Sequence, residues 1–338
     1  MNRTRLLRVA LAVTLGFCLA AAAFASGTSE PAKPGVDKVT LRTNWLFYGS
    51  HAIFFYGIDK GYYAAQNIDL IVRQGNGSGN AVRLVANKED TFAYVSSSTM
   101  MNLASQNAPV ISVMEIDAMG TDAVLANPDS GIKTFKDLVG KKVLTTAGAG
   151  VNTFFPVAAQ NAGVDPNSIE LVNVSENALT QSYLQGLAPA MLGGIDDKPA
   201  EIIAHGGKPP VEIPYSDYGV YQPGYSIAAN TDTVKNNPDL VRRFVKATIQ
   251  SVQATVADPD AAIQSLVKWA GGAAVDPKQA RTVLDVTLSI LYSPNNTQKV
   301  LGLNVPKDWE SALSLLTKYS GLNTTMQASQ FYTNDFVK

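Results

Sequence analysis

The chain has 338 residues, enough for two domains of ordinary size and too many for one small module. Apolar residues make up 46% of it and charged residues 16%, so a buried core is well supplied and the charge density of a disordered chain is missing. The 27 Lys and Arg against 28 Asp and Glu leave a formal charge of −1, without the basic excess that a nucleic-acid backbone requires, which excludes nucleic acid as the expected partner.

Arg3, Arg5 and Arg8 lead into an almost wholly apolar run over 6–23, and Ala23-Phe24-Ala25 fits the small-x-small pattern cut by a signal peptidase. Residues 1–25 are predicted to be a cleaved signal peptide, and the mature chain to be exported to the periplasm or otherwise outside the cytoplasm. A permanent anchor is disfavoured because the apolar stretch is at the short end of what crosses a bilayer. Lipid anchoring at Cys18 is disfavoured because bulky Phe17 stands where a lipidation site carries a small residue. Cleavage leaves 24 basic and 28 acidic residues, a charge of −4, and no cysteine, hence no disulfide, thiolate metal site or thiol nucleophile. Only His51 and His205 remain as imidazoles, without paired spacing, so neither a metal nor a cofactor is expected.

After a linker over 26–37, short β-rich runs alternate with longer helical ones, which predicts an α/β fold. Strands are predicted over 39–43, 68–73, 91–95 and 110–116, with helices over 53–66 and 78–87; such units close into a parallel sheet. A second set begins near Ile132, with strands over 142–146, 170–174 and 211–214 and helices over 152–162 and 179–185. From Asn237 onward the pattern is helical. Leu240, Val241, Phe244, Val245, Ile249, Val252 and Val256 recur at helical spacing, and Asp258-Pro259, Asp276-Pro277 and Val305-Pro306 mark helix starts with Pro in the first turn.

Candidate chemistry gathers where strands end. Gly75-Asn76-Gly77-Ser78-Gly79 joins a predicted strand to a helix, where unpaired N–H groups and small residues let a ligand approach, although the same turn serves as a plain helix start capped by Ser78. It is not a dinucleotide fingerprint, because Asn80 replaces the third glycine. A second glycine-rich turn, Thr145 to Asn152 with Gly148 at its centre, lies in the other half of the chain, so two helix starts could face a ligand across an interdomain cleft. Ser97 and Ser98 add hydroxyls at a third strand end, with helix capping as the plainer reading. Asn44, Trp45, Tyr48 and His51 follow the first strand, and Tyr218 and Tyr225 lie where the chain returns, a set suited to stacking on a planar ligand. Asp196 and Asp197 follow Gly193-Gly194. On a strand, adjacent residues face opposite ways, so at most one is expected in the cleft, where it would accept from an amine or ring nitrogen; a solvated turn is the alternative.

Asn44-Trp45 through His51-Ala52, Lys60-Gly61-Tyr62-Tyr63, Gly75-Asn76-Gly77-Ser78, Asp137-Leu138-Val139-Gly140-Lys141-Lys142 and Asn237-Pro238-Asp239-Leu240-Val241 occur in an order that resembles the bacterial solute-binding proteins of the nitrate, sulfonate, taurine and thiamin-pyrimidine group. The resemblance implies a type II periplasmic binding protein fold, two α/β lobes around a ligand cleft. It implies a first lobe over 38–127 and 222–338, a second over 128–221, a monomer, and delivery of a small molecule to a membrane ABC permease. His51 and Gly193-Gly194 are similar to members that bind pyrimidines or other N-heterocycles such as a thiamin-pyrimidine precursor. Arg73 and Arg83 keep a sulfonate, taurine or nitrate ligand open. An enzyme related to the pyrimidine synthases would need a cysteine-rich motif, which a cysteine-free mature chain cannot supply. Ser130 and Lys133 match a short SxxK pattern in a predicted loop, which is common by chance.

Overall fold

The computed structural model describes residues 35–337 apart from 148, 150 and 272–274. The expected signal peptide, Cys18 and most of the linker, as well as Gly148, lie outside the described residues.

Among the described residues, ten strands form two five-stranded sheets. The first contains β1 (Asp37–Arg42), β2 (Ile68–Arg73), β3 (Phe92–Ser96), β4 (Val110–Asp117) and β10 (Tyr225–Asn230), in the order β2-β1-β3-β10-β4. The second contains β5 (Asp122–Ala126), β6 (Lys142–Thr145), β7 (Glu170–Asn173), β8 (Ala190–Gly194) and β9 (Val211–Pro214), in the order β7-β6-β8-β5-β9. Val39 and Leu41 of β1 alternate inward, and the central strand β3 is buried along most of its length, as expected where helices cover both faces.

The sheets are mixed, not purely parallel. In each, one strand runs against its neighbours: β10 against β3 and β4, and β5 against β8 and β9. These are the strands by which the chain enters a lobe after crossing from the other one. The parallel strands end at the cleft, so a chain arriving there must start its strand where theirs finish. Tyr225 accordingly pairs with Ser96 and Asp117, and Asp122 with Gly194. The first crossing therefore lies between Asp117 and Asp122, earlier than the expected boundary at 127. The second lies between Pro214 and Tyr225. The crossings run side by side, with the Gly120 N–H donating to the Gln222 carbonyl at 2.8 Å and the Gly224 N–H to the Asp117 carbonyl at 2.8 Å.

The expected helix over 53–66 is shorter, Ala52–Asp59, because Gly61 takes φ +74° and turns the chain. The Pro-led helices are present as Pro259–Trp269, Pro277–Ser289 and Pro306–Tyr319, the first two capped by Asp258 and Asp276. Helix Pro238–Ala257 packs Phe244 against Phe92, ring centroids 4.1 Å apart, in the core of the first sheet. Helix Pro277–Ser289 lies so close to Gly49 that a Cβ there would be 2.0 Å from the Ala280 carbonyl oxygen, and Ser50 and Thr287 share a buried 2.7 Å hydrogen bond. This contact holds the aromatic loop after β1 beside the cleft. Among the described residues no helix is long and apolar enough to cross a membrane.

Candidate functional site

A cavity of about 660 Å³ opens between the two sheets. One wall comes from the loop after β1, with Asn44, Trp45 and Tyr48. The next comes from Gly77 and Ser78, and the opposite side from Asp196, Asp197 and Lys198. Tyr225 stands at its back, and Asp276 and Gln279 border it from the C-terminal helices. The Tyr225 ring also lines two smaller cavities, of about 450 and 350 Å³, so it stands where three compartments of one cleft meet.

Behind the front wall is a chain of hydrogen bonds with a defined direction. The Tyr48 backbone N–H donates to His51 Nδ1 at 3.3 Å, which places the ring proton on Nε2; that atom lies 2.8 Å from Asn44 Oδ1 and donates to it. Asn44 Nδ2 then donates to the Tyr48 hydroxyl oxygen at 3.0 Å, shorter than the 3.3 Å alternative in which Tyr48 donates back to Asn44. That leaves the Tyr48 hydroxyl proton unused by this chain of hydrogen bonds, at the lining of the cavity. Burial pushes His51 down to about 3, which keeps it neutral. Burial, followed by the charges of Tyr225, Asp196 and Asp117, holds the Tyr48 phenol well above its usual range, which keeps it a donor. His51 is fully buried and supports Asn44 instead of touching the cavity, which corrects its expected role.

The opposite side is acidic. Asp196 and Asp197 both line the cavity, contrary to the expectation of one, because they follow β8 in a turn where strand alternation no longer applies. Burial raises both, and Asp196 adds to the effect on Asp197. The Asp197 side chain keeps 57% of its surface accessible, so water screens it and the pull is weaker than on a dry carboxylate. Deeper in, Asp117 is 2% exposed and accepts from the Tyr94 hydroxyl at 2.9 Å; Tyr94 in turn stacks on Tyr225 with centroids 5.0 Å apart. Burial pushes Asp117 up to about 8 and Asp122 up to about 7, each helped by Asp196.

A carboxyl raised in the folded state gives stability that is present below its unfolded value, near pH 4, and is lost as pH climbs towards 8. Asp117→Asn keeps an acceptor for Tyr94 and never ionises. Its stability relative to the native protein is expected to grow across pH 4 to 8, by up to about 1.4 kcal/mol per unit. Thermal melts at several pH values check this, and a pH-independent difference would contradict it.

The remaining expected residues divide. Ser78 lines the cavity and is the first helical residue, with Gly77 as the cap at φ +122°; the Ser78 hydroxyl accepts from the Ser96 N–H at 3.0 Å. The Gly75 and Gly77 N–H groups, expected to face a ligand, donate instead to the Trp45 and Asn44 carbonyls. Ser98 lines the cavity of about 450 Å³ and donates to Gln222 at 3.3 Å. Ser97 does not reach the cleft: it is fully buried against Ser226 at 2.6 Å, and Ser96 caps that helix. Asn152 bonds Thr145 and the Thr146 carbonyl, so it ties its own turn to β6. Tyr218 packs edge-on against Phe135 in the second lobe, centroids 4.8 Å apart, away from the cleft.

Lys198, Asp117, Asp122, Gln222 and Gln279 were not anticipated. Each is an ordinary polar residue in its own segment, and only the Pro after Lys198 hinted at a helix start there. Lys198 is 9% exposed and pairs with Glu201 at 2.9 Å and Asp197 at 3.8 Å, so its charge is balanced within the turn.

A family model described as "NMT1/THI5 like" matches residues 49–262, more than half of the chain. The chain belongs to the NMT1/THI5-like family. The chain is 25% identical over 323 residues to the riboflavin-binding protein RibY of Chloroflexus aurantiacus, covering 94% of this chain and 91% of that one. It is 22% identical to a formylaminopyrimidine-binding protein of Halalkalibacterium halodurans, over 88% and 90% of the two chains. It is also 22% identical to a 4-amino-5-hydroxymethyl-2-methylpyrimidine phosphate synthase of Legionella pneumophila, over 89% and 92%. The fold is that of periplasmic binding proteins: the aliphatic sulphonate binding protein SsuA of Escherichia coli superimposes with a TM-score of 0.69, covering 90% of this chain and 94% of that one at 14% identity.

Proposed function

We propose that this member of the family is a non-catalytic, extracytoplasmic binding protein that captures a planar N-heterocycle and delivers it to an ABC permease, acting as a monomer. The observation that carries the reading is the pairing of Trp45, Tyr48 and Tyr225 with Asp196 and Asp197 around one cavity. Aromatic faces offer stacking area to a flat ring, and the acidic turn accepts from ring N–H or exocyclic amine groups, while Tyr48 donates to a ring carbonyl or nitrogen. A compact sulfonate or nitrate would meet carboxylates and a lysine already balanced by Glu201 and Asp197, an unfavourable setting for an anion. Two relatives named for riboflavin and formylaminopyrimidine binding support a heterocycle. The relative named as a synthase keeps catalysis testable; this chain's one cysteine, Cys18, precedes the cleft residues in the expected leader.

Calorimetry against 4-amino-5-hydroxymethyl-2-methylpyrimidine, lumichrome, taurine and nitrate tests the reading. The bound ring is expected to return unchanged. Asp196→Asn or Asp197→Asn is expected to weaken its binding roughly tenfold to a hundredfold, the worth of a charge-assisted hydrogen bond. Tighter binding of taurine or nitrate than of either ring, full affinity in both variants, or conversion of the ring to product would overturn it.

A further inference from the structure

The charges lining the cleft do not balance. Asp196, Asp197 and Asp276 line the cavity of about 660 Å³, with Lys198 as the cation among them. That lysine is already paired with Glu201 at 2.9 Å and with Asp197 at 3.8 Å. Asp122 joins Asp196 and Asp197 along the cavity of about 350 Å³, while Arg83 lines the cavity of about 450 Å³ instead.

The imbalance centres on one ring. Burial, followed by the charges of Asp196, Asp117, Asp197 and Asp122, holds the Tyr225 phenol well above its usual range, so carboxyls from both lobes act on a single hydroxyl. Asp117 is 2% exposed; its Oδ2 accepts from Tyr94, and its Oδ1 has no hydrogen-bond partner among the described residues. Burial is the largest cause of the upward shift in all four carboxyls, so an ionised carboxylate in this space is short of compensating charge.

A ligand that fills the cavity expels the water that screens these groups, and a buried carboxylate without a partner is costly. A neutral ring offers hydrogen bonds but no countercharge, and an anion adds to the repulsion. A positively charged ring compensates the carboxylates and also meets the π-faces of Trp45 and Tyr225, which attract cations. Tyr94 stacks on one face of Tyr225, which leaves the other face and the hydroxyl edge to the cleft.

Resting on the heterocycle reading above, we propose that the ligand is a positively charged N-heterocycle, its charge seated between Tyr225 and the turn that carries Asp196 and Asp197. Those two carboxylates are its counter-ions from the second lobe. Asp117 and Asp122, at the two ends of the first crossing, add attraction at longer range.

Calorimetry of the intact protein with nicotinamide, 1-methylnicotinamide and choline separates the parts, since the first two share a ring and differ in its charge, and the third carries a charge without a ring. The charged ring is expected to bind at least tenfold tighter than nicotinamide, and tighter than choline. Asp196→Asn or Asp197→Asn is expected to weaken 1-methylnicotinamide roughly tenfold to a hundredfold and nicotinamide less, so that the preference for the charged ring shrinks to about threefold or below. Nicotinamide binding by the same variants serves as the check that they fold. Equal or tighter binding of nicotinamide by the native protein, or variants that weaken both rings alike, would overturn the charge while leaving the ring site standing. Tighter binding of choline than of 1-methylnicotinamide would overturn the ring, and the charged ring with it, as would failure of both rings to bind.

Discussion

Replacing Tyr225 by alanine is expected to abolish most heterocycle binding, with affinity falling roughly ten- to a hundredfold, the range measured for removal of one aromatic stacking partner. The ring lines all three compartments of the cleft and is itself held by stacking on Tyr94, whose hydroxyl is fixed by Asp117. It also sits on the first residue of β10, directly after the second crossing, so it belongs to the first sheet and reaches toward the second lobe. Tyr225→Phe should keep most of the affinity if stacking dominates. Calorimetry with lumichrome on the two variants checks this, and an alanine variant that binds as tightly as the native protein would remove Tyr225 from the site.

Gly75→Ala is expected to cost about 3 kcal/mol or more of stability, at the upper end of overpacking effects, and to lower ligand affinity along with it. A Cβ at Gly75 would lie 1.9 Å from the Thr43 carbonyl oxygen, and the obstacle is backbone rather than a side chain that could turn away. Relief would require breaking the bonds from the Gly75 N–H to the Trp45 carbonyl at 3.1 Å and from the Gly77 N–H to the Asn44 carbonyl at 2.7 Å. Those bonds hold the front wall of the cavity. Gly79→Ala in the same turn provides the control, because its nearest neighbour would be an Arg83 nitrogen 3.7 Å away and alanine favours a helix. Thermal melting should separate the variants by roughly 5 to 10 °C. Equal melting temperatures would show that the two loops are not tied together as described.

The two-lobed α/β architecture was legible because periodicity is a local property: strands 68–73 and 211–214 and the Pro-led helices carry their own patterns. Resemblance of ordered short motifs added the periplasmic binding fold. The strands that sequence reasoning missed, β5, β8 and β10, are short and rich in Ala and Gly, with weak intrinsic strand preference. They become strands because partners on both sides complete their hydrogen bonds, and two of them run antiparallel because the chain enters each lobe from the cleft.

The sequence by itself determined which chemistry this protein carries: aromatic rings with polar tips, paired carboxylates after a glycine turn, and glycine-rich strand ends in both halves. Tertiary structure alone decided which of those groups face the cleft. His51, Ser97, Asn152 and Tyr218 have the right chemistry in the right segments, yet each is turned toward a neighbour in its own lobe. Lys198, Asp122 and Gln222, ordinary where they stand in the chain, line the cleft because the two crossings bring distant segments together. The physical reason is that residue type sets what a side chain can bond, while burial and the path of the backbone set what it has left to bond with.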